Sequence, residues 1–193
     1  MIRRTHFSVA RKDIMKLTPK LHNRPPHLLT DNSFYFITSR TLDAQWFLQP
    51  NQYKQIVLDT IYSKVDKFDI GLIAFAILQN HIHLMLTVKD GQKIPKFMQE
   101  INGASSFAIN KADGVKGRKI WWNYYDHVIR SDADFYKHLN YIHQNPIKHK
   151  LAKDFDYEFS SYKQWLEKRG KEYLDEAFQK YPVVDFVIQN DEF

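Results

Sequence analysis

The sequence predicts an α+β fold, in which an antiparallel β-sheet carries packed helices. Segments rich in aromatic and β-branched residues alternate with segments whose apolar residues recur every three or four positions. Two of the β-rich segments are separated by only two residues, as in an antiparallel pair. The length of 193 residues and the hydrophobic content of 44% fit one domain with appendages.

The first half of the chain predicts a strand, a helix and a strand pair. Residues 34–38, with the sequence Phe-Tyr-Phe-Ile-Thr, are typical of a strand, and the apolar spacing between residues 56 and 65 is typical of a helix. Two long apolar stretches, 70–78 and 81–88, flank Gln79-Asn80. We expect a tight turn there, between two strands that are buried on both faces.

The next segment predicts a second helix and a loop. Pro95 is suited to the first turn of a helix that continues to about residue 111. Gly114 and Gly117 then mark a loop, and a short strand is expected at residues 127–129.

A third helix is predicted after that strand. Ser131 can cap a helix that runs from Asp132 to about Asn145, because the following Pro146 disfavours helical geometry in the residue before it. Beyond residue 154, where acids outnumber bases, we expect two or three short helices. The predicted organisation is an arm at 1–31, a main domain at 32–153 and a helical C-terminal extension at 154–193.

Composition excludes several classes of protein. The chain has no cysteine, which rules out disulfides, thiolate catalysis and sulfur-bound zinc, and which is typical of a reducing cytoplasm. No stretch approaches the roughly 20 apolar residues that span a bilayer, and no apolar signal core follows the basic N-terminus. The sequence therefore predicts a cytoplasmic, soluble protein without a membrane partner.

The positive charge is concentrated at the N-terminus. Residues 1–30 contain seven basic side chains and a single acid, Asp13, whereas acids and bases balance in the remainder. The net charge of +6 therefore belongs to this arm. A polyanion such as DNA would bind it with release of counterions, although a solvated leader explains the composition equally well. Residues 135–153, which contain no acid, favour the polyanion.

Two groups of residues suggest chemistry. On a strand, His81 and His83 point to the same face and could share a metal ion, or they could simply be hydrogen-bonded histidines. On a helix, Tyr141 and Asn145 lie one turn apart, so a phenol nucleophile could sit beside a neutral oxygen ligand. A tyrosine on a helix is more often a packing residue, and His138 and His143 compete as ligands or phosphate contacts.

In combination these motifs resemble the single-tyrosine HUH transposases, which are IS200-like, and most closely the REP-associated tyrosine transposases. The resemblance covers residues 34–162. It rests on five ordered segments, which are FYFITSR at 34–40, LQNHIHL at 78–84, IWWNYYDHVIR at 120–130, YIHQNP at 141–146 and SSY at 160–162. It implies the HUH endonuclease fold, a ferredoxin-like antiparallel sheet with packed helices.

The resemblance also implies a mechanism. His81 and His83 would bind Mg²⁺ or Mn²⁺, and Asn145 matches the position that completes the ligand set. Tyr141 matches the nucleophile, which attacks a single-stranded DNA phosphate to leave a 5′-phosphotyrosine and a free 3′-hydroxyl. The phosphotyrosine conserves the energy of the phosphodiester bond, so strand joining requires no ATP. The implied partner is single-stranded DNA that folds into hairpins, and both monomers and homodimers are compatible with the resemblance.

Aromatic side chains next to basic ones are typical of single-strand binding. About half of the aromatics in residues 121–125 are expected to fill the core instead. The predicted DNA contacts are Arg40, Lys116, Arg118, Lys119, Trp121, Trp122, Arg130 and Lys148.

The sequence departs from the family pattern at two positions. Gln79 stands where many relatives have proline, and Lys150 stands where they commonly have glycine. Neither is a proposed ligand, but the exit from the last predicted helix of the domain could differ. The alternatives to an active transposase are a DNA-hairpin-binding module without chemistry and a metal-dependent nuclease that activates water. A structural protein would leave the combination of motifs unexplained.

Overall fold

The computed structural model describes residue 27 and residues 29–183, so most of the predicted arm at 1–31 lies outside the described residues. Four antiparallel strands form one sheet in the order β2-β3-β1-β4. The strands are β1 (Ser33–Thr41), β2 (Ile70–Ile77), β3 (His81–Val88) and β4 (Trp121–Ile129). With the helices packed on it, this sheet confirms the predicted α+β class.

Five α-helices accompany the sheet in the described part of the chain. They are α1 (Asn51–Phe68), α2 (Ile94–Ala112), α3 (Asp132–Lys148), α4 (Tyr162–Arg169) and α5 (Lys171–Lys180). None of the helices in residues 29–183 has the length and apolar character required to cross a membrane.

The two faces of the sheet support two hydrophobic cores, because successive residues of a strand point in opposite directions. Ile37 and Leu84 belong to the core shared with α1 and α2. Phe36 and Met85 belong to the core shared with α3. The second face also carries His81 and His83, and we call it the histidine face.

Strand β4 is longer than the sequence predicted, since it begins at Trp121 rather than near residue 127. The aromatic residues that precede His127 pair with β1 throughout, from Thr41 opposite Trp121 to Phe34 opposite Ile129. Aromatic residues suit a half-buried pleated surface, so this segment is stable as a strand once β1 is beside it.

Helix α3 continues through Pro146, where the sequence predicted that it would end. A proline in the last turn removes only one backbone hydrogen bond, and the helix end is completed by its neighbours. The Lys150 amide donates to Ile147 O (2.9 Å) and the Leu151 amide donates to Pro146 O (2.8 Å). This pair of bonds is a Schellman motif, in which Lys150 takes the left-handed conformation at φ 57°.

The predicted C-terminal extension is joined directly to the sheet. The Ile77 amide donates to Phe159 O (2.9 Å), and the Ser161 amide donates to Phe75 O (2.9 Å). Backbone bonds to residues 159–161 therefore cover the outer edge of β2. The Ser161 hydroxyl also lies 3.2 Å from His143 Nε2, so it links β2 to α3.

We predict that Lys150→Gly stabilises the protein. Glycine adopts the left-handed conformation without the steric cost that lysine incurs there, so the free energy of unfolding should rise by about 0.5–1 kcal/mol. Urea unfolding measures the change. Lys153→Gly is the matched control, because Lys153 is an exposed lysine nearby without a positive φ, and this change should give no stabilisation. A loss of stability in Lys150→Gly would contradict the prediction.

Candidate active site

The two histidines of β3 lie side by side under α3. His81 and His83 are two residues apart on the strand, both are fully buried, and their ring centroids are 4.8 Å apart. The period of two residues in a strand therefore brings both rings into one place, as the sequence predicted.

Neighbouring side chains fix the orientation of each ring. His81 Nδ1 lies 2.7 Å from Asn80 Oδ1, and His83 Nδ1 lies 2.9 Å from the Thr38 hydroxyl, directly across the β1–β3 register. An amide oxygen can only accept, so the contact with Asn80 places the proton of His81 on Nδ1. The Thr38 hydroxyl can accept in the same way. The Nε2 atom of His81 then carries a lone pair, and that of His83 does so when Thr38 accepts; this is the tautomer that binds a metal through Nε2.

Helix α3 brings the other two predicted residues to the histidines. Asn145 Oδ1 lies 3.4 Å from His81 Nε2. The Tyr141 ring stands edge-on to the His83 ring at a centroid distance of 5.3 Å. Tyr141 and Asn145 are four positions apart, which is about one helical turn, so both face the sheet. The structure thus brings together the four residues that the sequence analysis selected.

The donor set at this site fits a divalent cation. With the proton on Nδ1 of His81, the lone pair of Nε2 and the carbonyl oxygen of Asn145 face each other, and a cation would satisfy both. Asn145 Nδ2 is buried and makes no hydrogen bond among the described residues. A cation on Oδ1 would leave this donor unsatisfied, so the nitrogen has hydrogen-bonding capacity that the described residues do not use.

Burial favours the neutral form of the His83 imidazole. Desolvation lowers the pKa of His83 well below 6.5, and the nearby His149 and Lys148 lower it further. A neutral imidazole at physiological pH has a lone pair available for a metal, so the environment of His83 suits a ligand.

His149 also reaches this site, although the sequence analysis did not select it. Its ring centroid is 5.0 Å from that of His81, and its buried Nε2 has no hydrogen-bond partner in residues 29–183. The only signal in the sequence was its place in the acid-free stretch after residue 135. Asn80 and Thr38 were missed as orienting residues, since neither belongs to a spacing pattern.

The two competing histidines of α3 have other partners. His143 Nε2 contacts the Ser161 hydroxyl, its ring packs edge-on against Tyr162 (5.3 Å), and burial lowers its pKa to about 3. His138 lies against Phe36 with a centroid distance of 4.5 Å and contacts Asp134. Neither lies among the four site residues.

Two of the predicted DNA contacts lie at the site. Arg40 is directly opposite His81 in the β1–β3 register, and residues opposite each other share a face, so Arg40 lies on the histidine face. Lys148 is exposed at the end of α3, and its Nζ lies 5.3 Å from the centre of the Tyr141 ring. Arg40 is therefore beside the histidine pair, and Lys148 is beside the phenol.

The other predicted contacts lie along β4 and the loop before it. Lys116 and Lys119 are exposed, and Lys119 Nζ lies 4.5 Å from the centre of the Trp122 ring. Arg118 donates to Asn110 Oδ1 (2.9 Å), pairs with Asp113 and lies over Phe47, so it holds the loop in place. Arg130 is exposed just beyond the end of β4.

Trp121 conflicts with the predicted stacking on DNA. It is 4% exposed and belongs to the core under α2, where its indole N–H donates to the Ser105 hydroxyl (2.9 Å). Because protein encloses the ring, no face of the Trp121 indole is available to stack on a DNA base. Trp122 is half-buried, so it is the one of the two tryptophans with surface to offer.

Comparison with known proteins identifies the class. The family profile described as "Transposase IS200 like" matches residues 42–145, which is more than half of the chain, and the protein belongs to this family. This confirms the family recognised from the sequence motifs.

Two curated relatives are REP-associated tyrosine transposases. One, from Escherichia coli, is 29% identical over 132 residues, which cover 66% of this chain and 75% of the relative. The other, described provisionally by the same name, is from Haemophilus influenzae and is 28% identical over 104 residues. That match covers 44% of this chain and only 56% of the relative.

A solved structure shares the fold. It is described as a REP-associated tyrosine transposase bound to a REP hairpin, and it superposes with a TM-score of 0.64. The match has 24% sequence identity and covers 77% of this chain and 87% of that one. The fold expected from the resemblance, an antiparallel sheet with packed helices, is thereby confirmed.

The contact between Thr38 and His83 generates a prediction. In Thr38→Val the His83 ring loses the hydroxyl that orients it, so affinity for Mn²⁺ should fall about 10-fold or more, as measured by calorimetry. Thr41→Val is the matched control. It removes a buried hydroxyl from the same strand, one that donates to Gln45 O (2.6 Å) on the opposite face, and it should leave Mn²⁺ affinity unchanged. Equal affinities for both variants and wild type would contradict the orienting role of Thr38.

Proposed function

We propose that this chain cleaves and rejoins single-stranded DNA by transesterification, with Tyr141 as the nucleophile. The observation that carries the proposal is the convergence of Tyr141 and Asn145 from α3 on His81 and His83 from β3. Local packing needs neither two buried imidazoles side by side nor an amide oxygen that faces one of them. A metal-assisted phosphoryl transfer uses both as ligands, which is the chemistry expected of the transposase family.

Three residues of the proposed site would hold a divalent ion, namely His81, His83 and Asn145. When bound, Mg²⁺ or Mn²⁺ would polarise a phosphate oxygen and stabilise the charge that develops on the leaving group. All three ligands are neutral, so the ion would keep its full charge for the phosphate. Thr38 and Asn80 would orient the imidazoles through their Nδ1 atoms.

Tyr141 would form and later release the covalent bond to DNA. Its phenol loses its proton to solvent and the oxygen attacks the phosphorus. The bond between phosphorus and the 3′ oxygen breaks, and that oxygen takes up a proton from solvent and leaves as a 3′-hydroxyl, so no net proton is gained or lost. The DNA remains attached as a 5′-phosphotyrosine. Rejoining reverses these steps, because a 3′-hydroxyl attacks the phosphotyrosine and the phenol leaves. Lys148, over the Tyr141 ring, would stabilise negative charge on the phenol oxygen and the phosphate.

Access to the nucleophile requires a movement. The Tyr141 side chain is only 3% exposed, between the sheet and the Lys148 side chain. We propose that a phosphate reaches the phenol when Lys148 swings to pair with it, which exposes the ring edge. The flexible stem and exposed position of Lys148 allow this change without rearrangement of the sheet.

The DNA would extend from the site over the basic and aromatic side chains around it. Arg40 would receive a phosphate next to the histidines, and Trp122 with Lys119 would offer a stacking surface beside a cation. Lys116, Arg118 and Arg130 remain proposed phosphate contacts, of which Arg118 is already held by two partners. The hairpin in the structure of the relative supports a DNA hairpin as the substrate.

Two alternatives predict different products. A DNA-hairpin-binding module without chemistry would retain DNA and leave it intact. A nuclease that activates water would cleave DNA without a covalent intermediate. The site has a phenol beside the histidines and has no carboxylate among its four residues to act as a base, which favours the covalent route.

We predict that Tyr141→Phe eliminates the covalent adduct. Wild-type protein with labelled single-stranded hairpin DNA and Mn²⁺ should give a protein–DNA band on a denaturing gel. Tyr141→Phe should give none while it still binds DNA, because only the phenol oxygen is removed. Tyr136→Phe is the matched control, since Tyr136 lies on the same helix and bonds to Tyr173 (2.7 Å) away from the site. Cleavage that persists in Tyr141→Phe would show that water is the nucleophile, and absence of both cleavage and adduct in wild type would favour the binding module.

We also predict that replacing both His81 and His83 with alanine abolishes cleavage. Removal of both imidazoles leaves only Asn145 of the proposed ligands, so Mn²⁺ affinity should fall at least about 100-fold. Calorimetry measures the affinity, and a gel shift without metal measures whether DNA binding is retained. Unchanged Mn²⁺ affinity in the double variant would refute the metal site.

A further inference from the structure

A second group of metal-binding side chains lies on the histidine face, apart from the site of Tyr141. It consists of His127 on β4 and Asp134 and His138 on α3, and their ligand atoms all lie within 4.8 Å of one another. His127 Nε2 lies 2.9 Å from Asp134 Oδ2, and His138 Nδ1 lies 3.0 Å from Asp134 Oδ1. The carboxylate therefore stands between two imidazoles that come from different elements.

We propose that His127, Asp134 and His138 bind a divalent transition-metal ion of the zinc class. Two imidazole nitrogens and one carboxylate oxygen are ligands that zinc prefers, whereas magnesium prefers oxygen alone. At zinc–ligand distances of about 2.0–2.2 Å, tetrahedral ligands stand about 3.4 Å from each other. The separations of 2.9 and 3.0 Å are to different oxygens of Asp134, and His138 Nδ1 also contacts Asp134 O (2.8 Å). An ion would therefore replace this backbone contact of His138 and bring both imidazoles to one carboxylate oxygen.

The surrounding contacts hold these ligands in position. The Asp134 amide donates to the Ser131 hydroxyl (3.1 Å), and Asp134 Oδ2 accepts from the Arg130 amide (3.1 Å). These bonds fix the turn between β4 and α3 and the direction of the carboxylate. The His138 ring is held against Phe36, and the His127 ring stacks on it at 4.8 Å. Ligands that are ordered in advance lose little conformational entropy when they bind an ion.

The site would have one open coordination position. The side chains of His127 and Asp134 are 32% and 22% exposed, so water can reach an ion there, whereas that of His138 is 5% exposed and closes the inner side. Three protein ligands and one water form the usual tetrahedral arrangement of an open zinc site. The ring of Phe36 lies between His138 (4.5 Å) and His83 (5.3 Å) and so separates this site from the first.

An ion at this position would fasten the first turns of α3 to β4. The same helix carries Tyr141 and Asn145 further along, so the bound ion would also restrict movement of the helix that bears the nucleophile. The proposal does not depend on DNA cleavage, because it concerns binding of an ion by residues outside the proposed active site.

Equilibrium dialysis against Co²⁺ counts the sites. Wild type should bind two ions, and His127→Gln should bind one. The double variant His81→Gln/His83→Gln should also bind one, and all three changes together should leave none. An excess of Mg²⁺ should not displace the ion from the double variant, because imidazole ligands disfavour magnesium. His27→Gln is the matched control, because His27 is similarly exposed at 34% and pairs with Asp126 on the same strand, and its count should equal that of wild type.

Two further measurements identify the site directly. In the His81→Gln/His83→Gln variant, bound Co²⁺ should give the visible absorption of a tetrahedral ion, and Zn²⁺ should raise the Tm of the protein. Introducing His127→Gln into this variant should remove both effects. His138→Gln, which alters the group from the helix side, should act as His127→Gln does. If His127→Gln and His138→Gln both bind as many Co²⁺ ions as wild type, the three side chains form only a hydrogen-bonded contact and the proposal is overturned. If wild type binds one ion and His127→Gln none, this site stands and the metal of the proposed active site fails.

Discussion

The structure depends on the packing of α3 across the histidine face, and Phe36 is at the centre of that contact. The Phe36 side chain is fully buried, and its ring contacts His83, His138 and Tyr141 at centroid distances of 5.3, 4.5 and 6.2 Å. A side chain of this size sets the separation between helix and sheet, because protein interiors tolerate little empty volume. The distances among the residues of both proposed metal sites follow from it.

The same packing determines the electrostatics of the face. Under the helix, His83 has lost its hydration, so its neutral form is favoured and it offers a lone pair rather than a charge. The ligands proposed for the active site are all neutral, which would leave the charge of an ion to act on a phosphate. The second cluster differs because Asp134 contributes a negative charge, so an ion there would keep less of its own charge than an ion at the proposed active site.

Residues outside the proposed active site hold α3 against the edge of the sheet at β2. The Ser161 hydroxyl accepts from the Phe75 amide of β2 (2.9 Å) and contacts His143 of α3, and Trp165 donates to Ile73 O (2.8 Å). The Ser160-Ser161-Tyr162 signature therefore connects the edge of the sheet to the helix through hydrogen bonds. This gives a physical reason for a motif that lies outside the catalytic residues yet forms part of the family resemblance.

Local periodicity was sufficient to predict most elements and the two residue pairs of the site. A strand places His81 and His83 on one face, and a helix places Tyr141 and Asn145 one turn apart, whatever the rest of the chain does. The association of the histidine pair with Tyr141 and Asn145 was inferred from the family resemblance, because no local rule relates residues about 60 positions apart.

The tertiary structure decided the remainder, because burial depends on which elements are neighbours. Trp121 is buried by α2, although its sequence context equally suits a surface aromatic. Helix α3 passes through Pro146 because backbone bonds beyond it complete the helix, and that turn also brings His149 beside His81. Thus the sequence determined which side chains could act as pairs, and the packing of α3 on the sheet decided which pairs meet, because contacts between distant segments form only when the chain folds.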